Sequence, residues 1–392
     1  MPPRPAVAFR FTHVLAGSAP AGSQLPPPGV LRKCEDQAIA ALAPALAQEE
    51  ELSAAACGAQ GARERAAYSK RRMRYVDYDL ELELSGMTEA EVYQAFRMPR
   101  DSLTRLLLEI KPYLTTENPD KGRNSSGHTL TAAQRMLCGL RLIYGGSAHD
   151  IKKAYAPISY SRVYDALWLL CDALHKVFGG KWKFPLPPHP DDETVQGIAD
   201  RHLAVEALKG LELRHRATSP SQCWLGQVGS IDGCVIPQQN PGRAVPNPKI
   251  YKCTRKGCFG ILLMGLVDCE RRFLWYNMSF APTTHDSTAF KQTPFGKKLC
   301  EWLPPPFFVN GDAAFQPGGD TIMVPGGSDA YNFTQSSQRM PIEMAFGELI
   351  GMCGILWRPL RVKFNRRAAL ISACILLHNM RIDWGLERDY AK

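Results

Sequence analysis

No C-x-x-C pair occurs anywhere in the sequence, and 12 cysteines in 392 residues are too dilute for a disulfide framework. Free thiols in a reducing compartment are the expectation. Long hydrophobic runs are missing too. The longest, ILLMGLV around Leu263, is far shorter than the roughly 18 apolar residues of a spanning helix, so no membrane protein is expected. There is no G-x-S-x-G elbow, which leaves Ser-His-Asp hydrolysis without support. Aromatic residues are few before Tyr68, so the first eighty or so residues have little with which to build a core.

What the chain does carry is a mild basic excess: 47 Lys and Arg against 38 Asp and Glu, a formal net charge of +9. That balance suits a polyanionic partner without demanding one. Residues 1–84 hold 10 basic and 10 acidic side chains, 85–220 hold 18 and 15, and 221–392 hold 19 and 13, so the excess lies toward the C-terminal half. Residues 1–84 are rich in Pro, Ala and Gly (APAGSQLPPPG, AAACGAQGA) and are expected to be disordered. Asp36 to Leu52 could form an Ala-rich helix, but it has no apolar stripe. No acid precedes Glu35, as in a mitochondrial presequence, yet the prolines argue against the amphipathic helix such a leader needs. Lys70-Arg71-Arg72-Met73-Arg74 suits a nuclear address, a phosphate-contacting arm or a plain solvated run.

From Thr88 the apolar residues recur at three- and four-residue spacing: Val92, Phe96 and Met98, then, beyond Pro99, Leu103, Leu106, Leu107 and Ile110. After a polar loop over 115–127, three more helices are expected: Thr131 to Tyr144, Ser147 to Tyr155, and Ser161 to Phe178. Short helices joined by tight turns suggest a small all-α, helix-turn-helix-like domain over 85–180. Its last helix should expose Arg162 alongside Lys152 and Lys153 and bury Val163, Leu167 and Leu170. Most three-helix clusters bind no DNA, so spacing alone leaves a purely structural role open. Pro185 to Pro190 reads as a stiff linker before a helix near Ile198 to Leu208, which makes 181–220 a connecting segment.

The character then changes. Gly226 to Ile236, Phe259 to Asp268, Arg272 to Phe280 and Phe307 to Gly311 are short apolar or β-branched runs bounded by Gly, Pro or Asn. Helical patterns follow over Ile342 to Cys353 and Ala368 to Ile382. Strands with helices after or between them imply an α/β layer fold. Three carboxylates stand out within it: Asp232 in GSIDG, Asp312 after FFVNG, and Glu343 opening MPIEMAFGELIG. Two strand-borne Asp residues faced by a helix-borne Glu would suit two hard divalent cations and phosphoryl transfer. A chain with 38 acids contains many such triples, so the residues alone leave this reading open.

The linked motifs carry more weight. SIDGCVIPQQNP is followed by Arg255-Lys256-Gly257 before FGILLMGLVD, then by Arg271-Arg272-Phe273 and THDSTAF. NGDAAF, YNFTQSSQRMPIEMAFGELIG and LISACILLHNM complete the series. In this order the chain resembles PIF/Harbinger-type transposases and their host-derived relatives in the DDE superfamily. Upstream, FRMPRDSLTRLL and GGSAHDIKKAYAPISYSRVYDAL resemble the helical DNA-binding part of the same family, so the likeness covers about 85–385.

The resemblance implies an RNase H-like mixed sheet with flanking helices over 221–385, followed by a short tail at 386–392. It implies an Asp-Asp-Glu triad at Asp232, Asp312 and Glu343 binding Mg²⁺ or Mn²⁺, and a metal-dependent nuclease or transposase acting on double-stranded DNA in the nucleus. A separate Myb-like DNA-binding protein is common alongside this family, and a homo-oligomer is compatible with it. A catalytically silent DNA- or chromatin-binding relative is the rival reading.

Glu348 competes with Glu343, but it lies five residues on, roughly 140° around the helix, so both cannot face one site. Many relatives carry an Arg-aromatic pair where this chain has Met352-Cys353, and Phe315 stands where a Tyr is expected. Arg358, Arg361 and Lys363, beside Trp357, are candidate phosphate contacts or a solvated helix end. Asp286 reads either as a helix cap or as a residue near substrate. Asp268 reads as structural, and His378-Asn379 more readily as a satisfied core pair than as catalytic. Cys253, Cys258 and His285 lack the fourth ligand and the spacing of a zinc site.

Overall fold

The computed structural model describes residues 80–114, 130–155, 158–218, 224–315 and 321–386. The Ala-rich segment, the leader reading and the Lys70–Arg74 cluster lie outside the described residues. The helical part begins earlier than expected, with α1 (Leu80–Leu84). Its Leu80 and Leu84, four residues apart, are both buried and join the core. Next come α2 (Glu89–Phe96) and α3 (Arg100–Leu114), separated at Pro99 as the sequence implies. Thr88 caps α2 in a reciprocal box with Glu91, and Thr131 does the same with Gln134 for α4 (Ala132–Ile143). Ser147 caps α5 (Ala148–Ala154) and Ser159 caps α6 (Tyr160–Phe178). As expected, α6 buries Val163, Leu167 and Leu170.

The connecting segment holds a longer helix than its sequence suggests: α7 (Val195–Thr218) runs 24 residues but buries only a few side chains, among them Leu208, Leu211 and His215. The strands follow. β1 (Gln227–Pro237) pairs antiparallel with β3 (Cys258–Val267), and β3 also takes β2 (Lys252–Cys253) and β4 (Phe273–Asn277) antiparallel. On its other side β1 pairs parallel with β5 (Phe308–Asn310), and β5 pairs parallel with β6 (Ile322–Met323). This is the mixed α/β, RNase H-like sheet the motifs imply, with β1 at its centre. Between β4 and β5 lie α8 (Asp286–Gln292) and α9 (Pro294–Trp302), and after β6 come α10 (Asp329–Met352) and α11 (Phe364–Asp383).

Alternation along the strands gives the sheet two apolar faces. Val235, Leu262, Met264 and Leu266 pack with α7, α8 and α9. Ile236, Ile261, Leu263 and Val267 pack with α10, α11 and the N-terminal helices. The helical region and the sheet therefore share one continuous core, and the change of architecture near residues 181–220 is not a break in packing.

Helix α10 differs most from its sequence pattern. It starts at Asp329 and runs through Pro341, where the sequence suggests a boundary. A proline inside a helix withholds an N–H and disturbs the preceding turn. Here the neighbouring Gln338 carbonyl accepts from Gln227 Nε2 at 3.1 Å and Ser230 Oγ at 3.0 Å, both buried on β1. Gln335, one turn earlier, donates from Nε2 to the Gly311 carbonyl at 2.6 Å. The helix is thus fastened to the central strands just before the residues that face Asp232.

His378 and Asn379 are core residues, as the sequence favours. His378 bonds the Arg271 carbonyl through Nε2 at 2.9 Å and packs edge-on against Phe273. Burial pushes its pKa down from 6.5 to about 4, so it stays neutral in the fold. The unfolded chain binds a proton below about pH 6.5 that the native state refuses until about pH 4. His378 therefore costs stability as pH falls through that window, by about 3 kcal/mol in all. Chemical denaturation of wild type and His378→Gln should show the difference between them moving in the variant's favour from pH 7 to pH 4. A constant difference would mean that His378 does not titrate this way.

Candidate active site

Asp232 lies midway along β1, opposite Gly265 of β3 in the register. A side chain at position 265 would press on the rings of Phe273 and Phe346, at 2.9 and 3.3 Å from its Cβ, so glycine lets α10 approach the sheet here. Asp232 Oδ1 accepts from the Gly233 N–H at 2.7 Å, and Oδ2 lies 3.1 Å from Arg339 Nη1. Arg339 Nη2 reaches Glu343 Oε1 at 2.5 Å, one turn further along α10. One guanidinium therefore bridges the first and third candidate acids.

Asp312 follows β5 and accepts from the Ala314 N–H at 3.0 Å. Its charge acts on both Asp232 and Asp286. Burial is the main cause that raises Asp232 to about 6; Asp312 and Asp286 add to the rise, against the opposing Gly233 N–H and Arg339. Burial, then Asp312, also raises Asp286, while His285 and Arg255 counter it. The Asp286 carboxyl lies close over the strand, 2.9 Å from where a Cβ on Gly233 would sit. His285 occupies the cap position of α8 and Asp286 is its first helical residue, so the capping reading of Asp286 does not describe it. Asp286 is the acid the sequence reading underweighted; the charge it shares with Asp232 and Asp312 emerges only from the fold.

The other acids are committed elsewhere. Glu348 pairs with Arg271 at 2.9 Å. Asp268 accepts from the Glu270 and Arg272 N–H groups and pairs with Arg272, holding the turn between β3 and β4. Met352 and Cys353 are buried, with Cys353 hydrogen-bonded to Cys374, so the departure at this pair is a matter of core packing. Asn310, buried two residues before Asp312, has no hydrogen-bond partner for either amide atom among the described residues.

The fit to a divalent cation rests on the donors and on a stand-in charge. Asp232, Asp312 and Glu343 offer only carboxylate oxygens, the donors Mg²⁺ and Mn²⁺ favour. Arg339 already places positive charge between two of them. Among the described residues no three His, Cys, Asp or Glu side chains are gathered closely enough to hold a metal ion, neither Asp232, Asp312 and Glu343 with Arg339 between them nor Cys253, Cys258 and His285.

The candidate DNA contacts divide. Arg162 lines a cleft with Arg135, Asp165, Trp168, Asp172 and Arg366. Arg361 and Lys363 line an adjoining cleft that shares Trp168 and Arg366 and adds Tyr164. Two basic groups about two hundred residues apart in sequence thus meet along α6, with Arg366 stacked over Trp168 at 5.2 Å. Arg366, Tyr164 and Trp168 were not evident from sequence. Lys152 instead lies over the Tyr160 ring at 4.5 Å, while Lys153 and Arg358 are exposed and line neither cleft.

Comparison with known proteins gives one match, and no curated protein or solved structure matches the chain. Residues 231–379, the span holding Asp232, Asp312, Glu343 and the His378-Asn379 pair, match the family model described as DDE superfamily endonuclease, so this part of the chain is similar to transposase-type DDE nucleases.

Proposed function

We propose that the protein is a metal-dependent DNA endonuclease and strand-transfer enzyme of the PIF/Harbinger type, with Asp232, Asp312 and Glu343 as its acidic triad. The observation that carries this reading is the Asp232 carboxyl on the central strand, within the electrostatic reach of Asp312 and joined through Arg339 to Glu343, inside the family-matched segment. When bound there, Mg²⁺ or Mn²⁺ would polarise the scissile phosphate and activate water or a DNA 3′-hydroxyl. The chain's own part is to supply carboxylate oxygens from two strands and a helix whose spacing the Gln335 and Gln338 contacts hold. No covalent protein intermediate is required. The substrate is double-stranded DNA and the compartment the nucleus, with a Myb-like partner and self-association as accompanying expectations.

The twin clefts along α6 fit the phosphate backbone: Arg135, Arg162, Arg361, Lys363 and Arg366 face only two carboxylates there, Asp165 and Asp172. Replacing Arg162, Arg361 and Lys363 together with Ala should weaken binding to any duplex. The slope of log affinity against log salt should flatten by about 0.9 for each phosphate that is no longer neutralised. Fluorescence anisotropy across a salt series measures it; an unchanged slope would leave the clefts a structural role.

The Arg339 bridge favours one rival, a silent DNA-binding relative whose acids are permanently neutralised. Incubating supercoiled DNA with the protein and Mn²⁺ separates the two, since only the nuclease produces nicks that disappear in Asp232→Asn.

A further inference from the structure

We infer that Arg339 is the resident counter-cation of the acidic centre, and that its side chain must swing off Asp232 and Glu343 before a divalent cation can enter. This rests on the nuclease reading and adds a gate to it. The two guanidinium nitrogens occupy one oxygen each of Asp232 and Glu343, the same carboxylates a metal would use. The planar fork offers a separate nitrogen to each acid in fixed geometry, where a lysine ammonium is a compact point charge. Its surroundings reinforce the hold, because Asp312 and Asp286 bring further negative charge to Asp232.

The backbone beneath Arg339 is fixed. The adjacent Gln338 carbonyl is bonded to Gln227 and Ser230 of β1, so release is a side-chain rotation and leaves α10 in place. Solvent lies on the side where that rotation can lead: Glu343 is 44% exposed, whereas Asp232 and Arg339 are 17% and 16% exposed. The pair between Glu348, on the next turns of the same helix, and Arg271, in the turn between β3 and β4, shows the contrast, since neither residue belongs to the triad and nothing requires that pair to open.

A cation that competes with an internal arginine binds with an affinity reduced by the fraction of molecules in which the arginine is released. Isothermal titration of the full chain with Mn²⁺ tests this in wild type, Arg339→Gln and Arg339→Lys, with Asp232→Asn as the site control. Arg339→Gln should bind Mn²⁺ at least tenfold more tightly than wild type and gain more in melting temperature on adding it. Arg339→Lys, which keeps the charge but not the two-nitrogen fork, should fall between them and serves if the glutamine variant does not fold. Binding by Arg339→Gln with none by wild type would be the extreme form of the same result. Equal or weaker binding by folded Arg339 variants, with wild type binding Mn²⁺, would overturn the gate and leave the nuclease reading standing. No Mn²⁺ bound by any of the proteins would overturn the metal-dependent reading itself, and the gate with it.

Discussion

Asp232→Asn should reduce Mn²⁺-dependent nicking by about three orders of magnitude or more, into the background of the assay. Asn keeps the shape of the side chain and can still accept from the Gly233 N–H, but it no longer offers an anionic oxygen to a metal or to Arg339. The fold should tolerate the change, because burial already disfavours the charged form of Asp232. DNA affinity should be equal or greater, since a negative charge beside the phosphate is removed. Nicking and anisotropy measured on one preparation make the comparison. Undiminished nicking in the variant would remove Asp232 from the chemistry, and a parallel loss of DNA affinity would point to misfolding instead.

Asn379→Ala should produce the largest loss of stability of any substitution considered. Asn379 accepts from the Phe273 N–H at 2.9 Å and donates to the Phe273 carbonyl at 2.8 Å, so one amide completes both backbone bonds of a buried residue at the start of β4. Removing it leaves a donor and an acceptor unpaired out of water, at about 1–3 kcal/mol each. A total near 4 kcal/mol should lower the melting temperature by roughly 8–16 °C for a domain of this size. Asn379→Asp is the informative companion. It can still accept from the N–H but sets a carboxylate against the carbonyl, so it should also destabilise. A melting temperature unchanged in Asn379→Ala would show that water or a relaxed β4 takes over both bonds.

The sequence by itself determined a good deal. Proline at 99, the Thr88 and Thr131 caps and the spacing of Val163, Leu167 and Leu170 specify helices that form much as read, because capping and periodicity act over a few residues. The apolar runs specify β1, β3, β4 and β5 for the same reason, and the order of motifs around Asp232, Asp312 and Glu343 resembles the DDE superfamily, whose endonuclease model residues 231–379 match. Only the tertiary structure decided how these pieces face one another. Pro341 reads locally as a helix boundary, yet α10 passes through it, and the turn before it is held by β1 side chains on the Gln338 carbonyl, a contact formed across more than a hundred residues. With the helix unbroken, Arg339 and Glu343 lie one turn apart, and their bridge to Asp232 becomes possible. Asp286 and the clefts that join Arg162 to Arg361 and Lys363 are of the same kind. A carboxylate's neighbours, and so its charge state and its counter-ion, are set by through-space distances that no local pattern encodes.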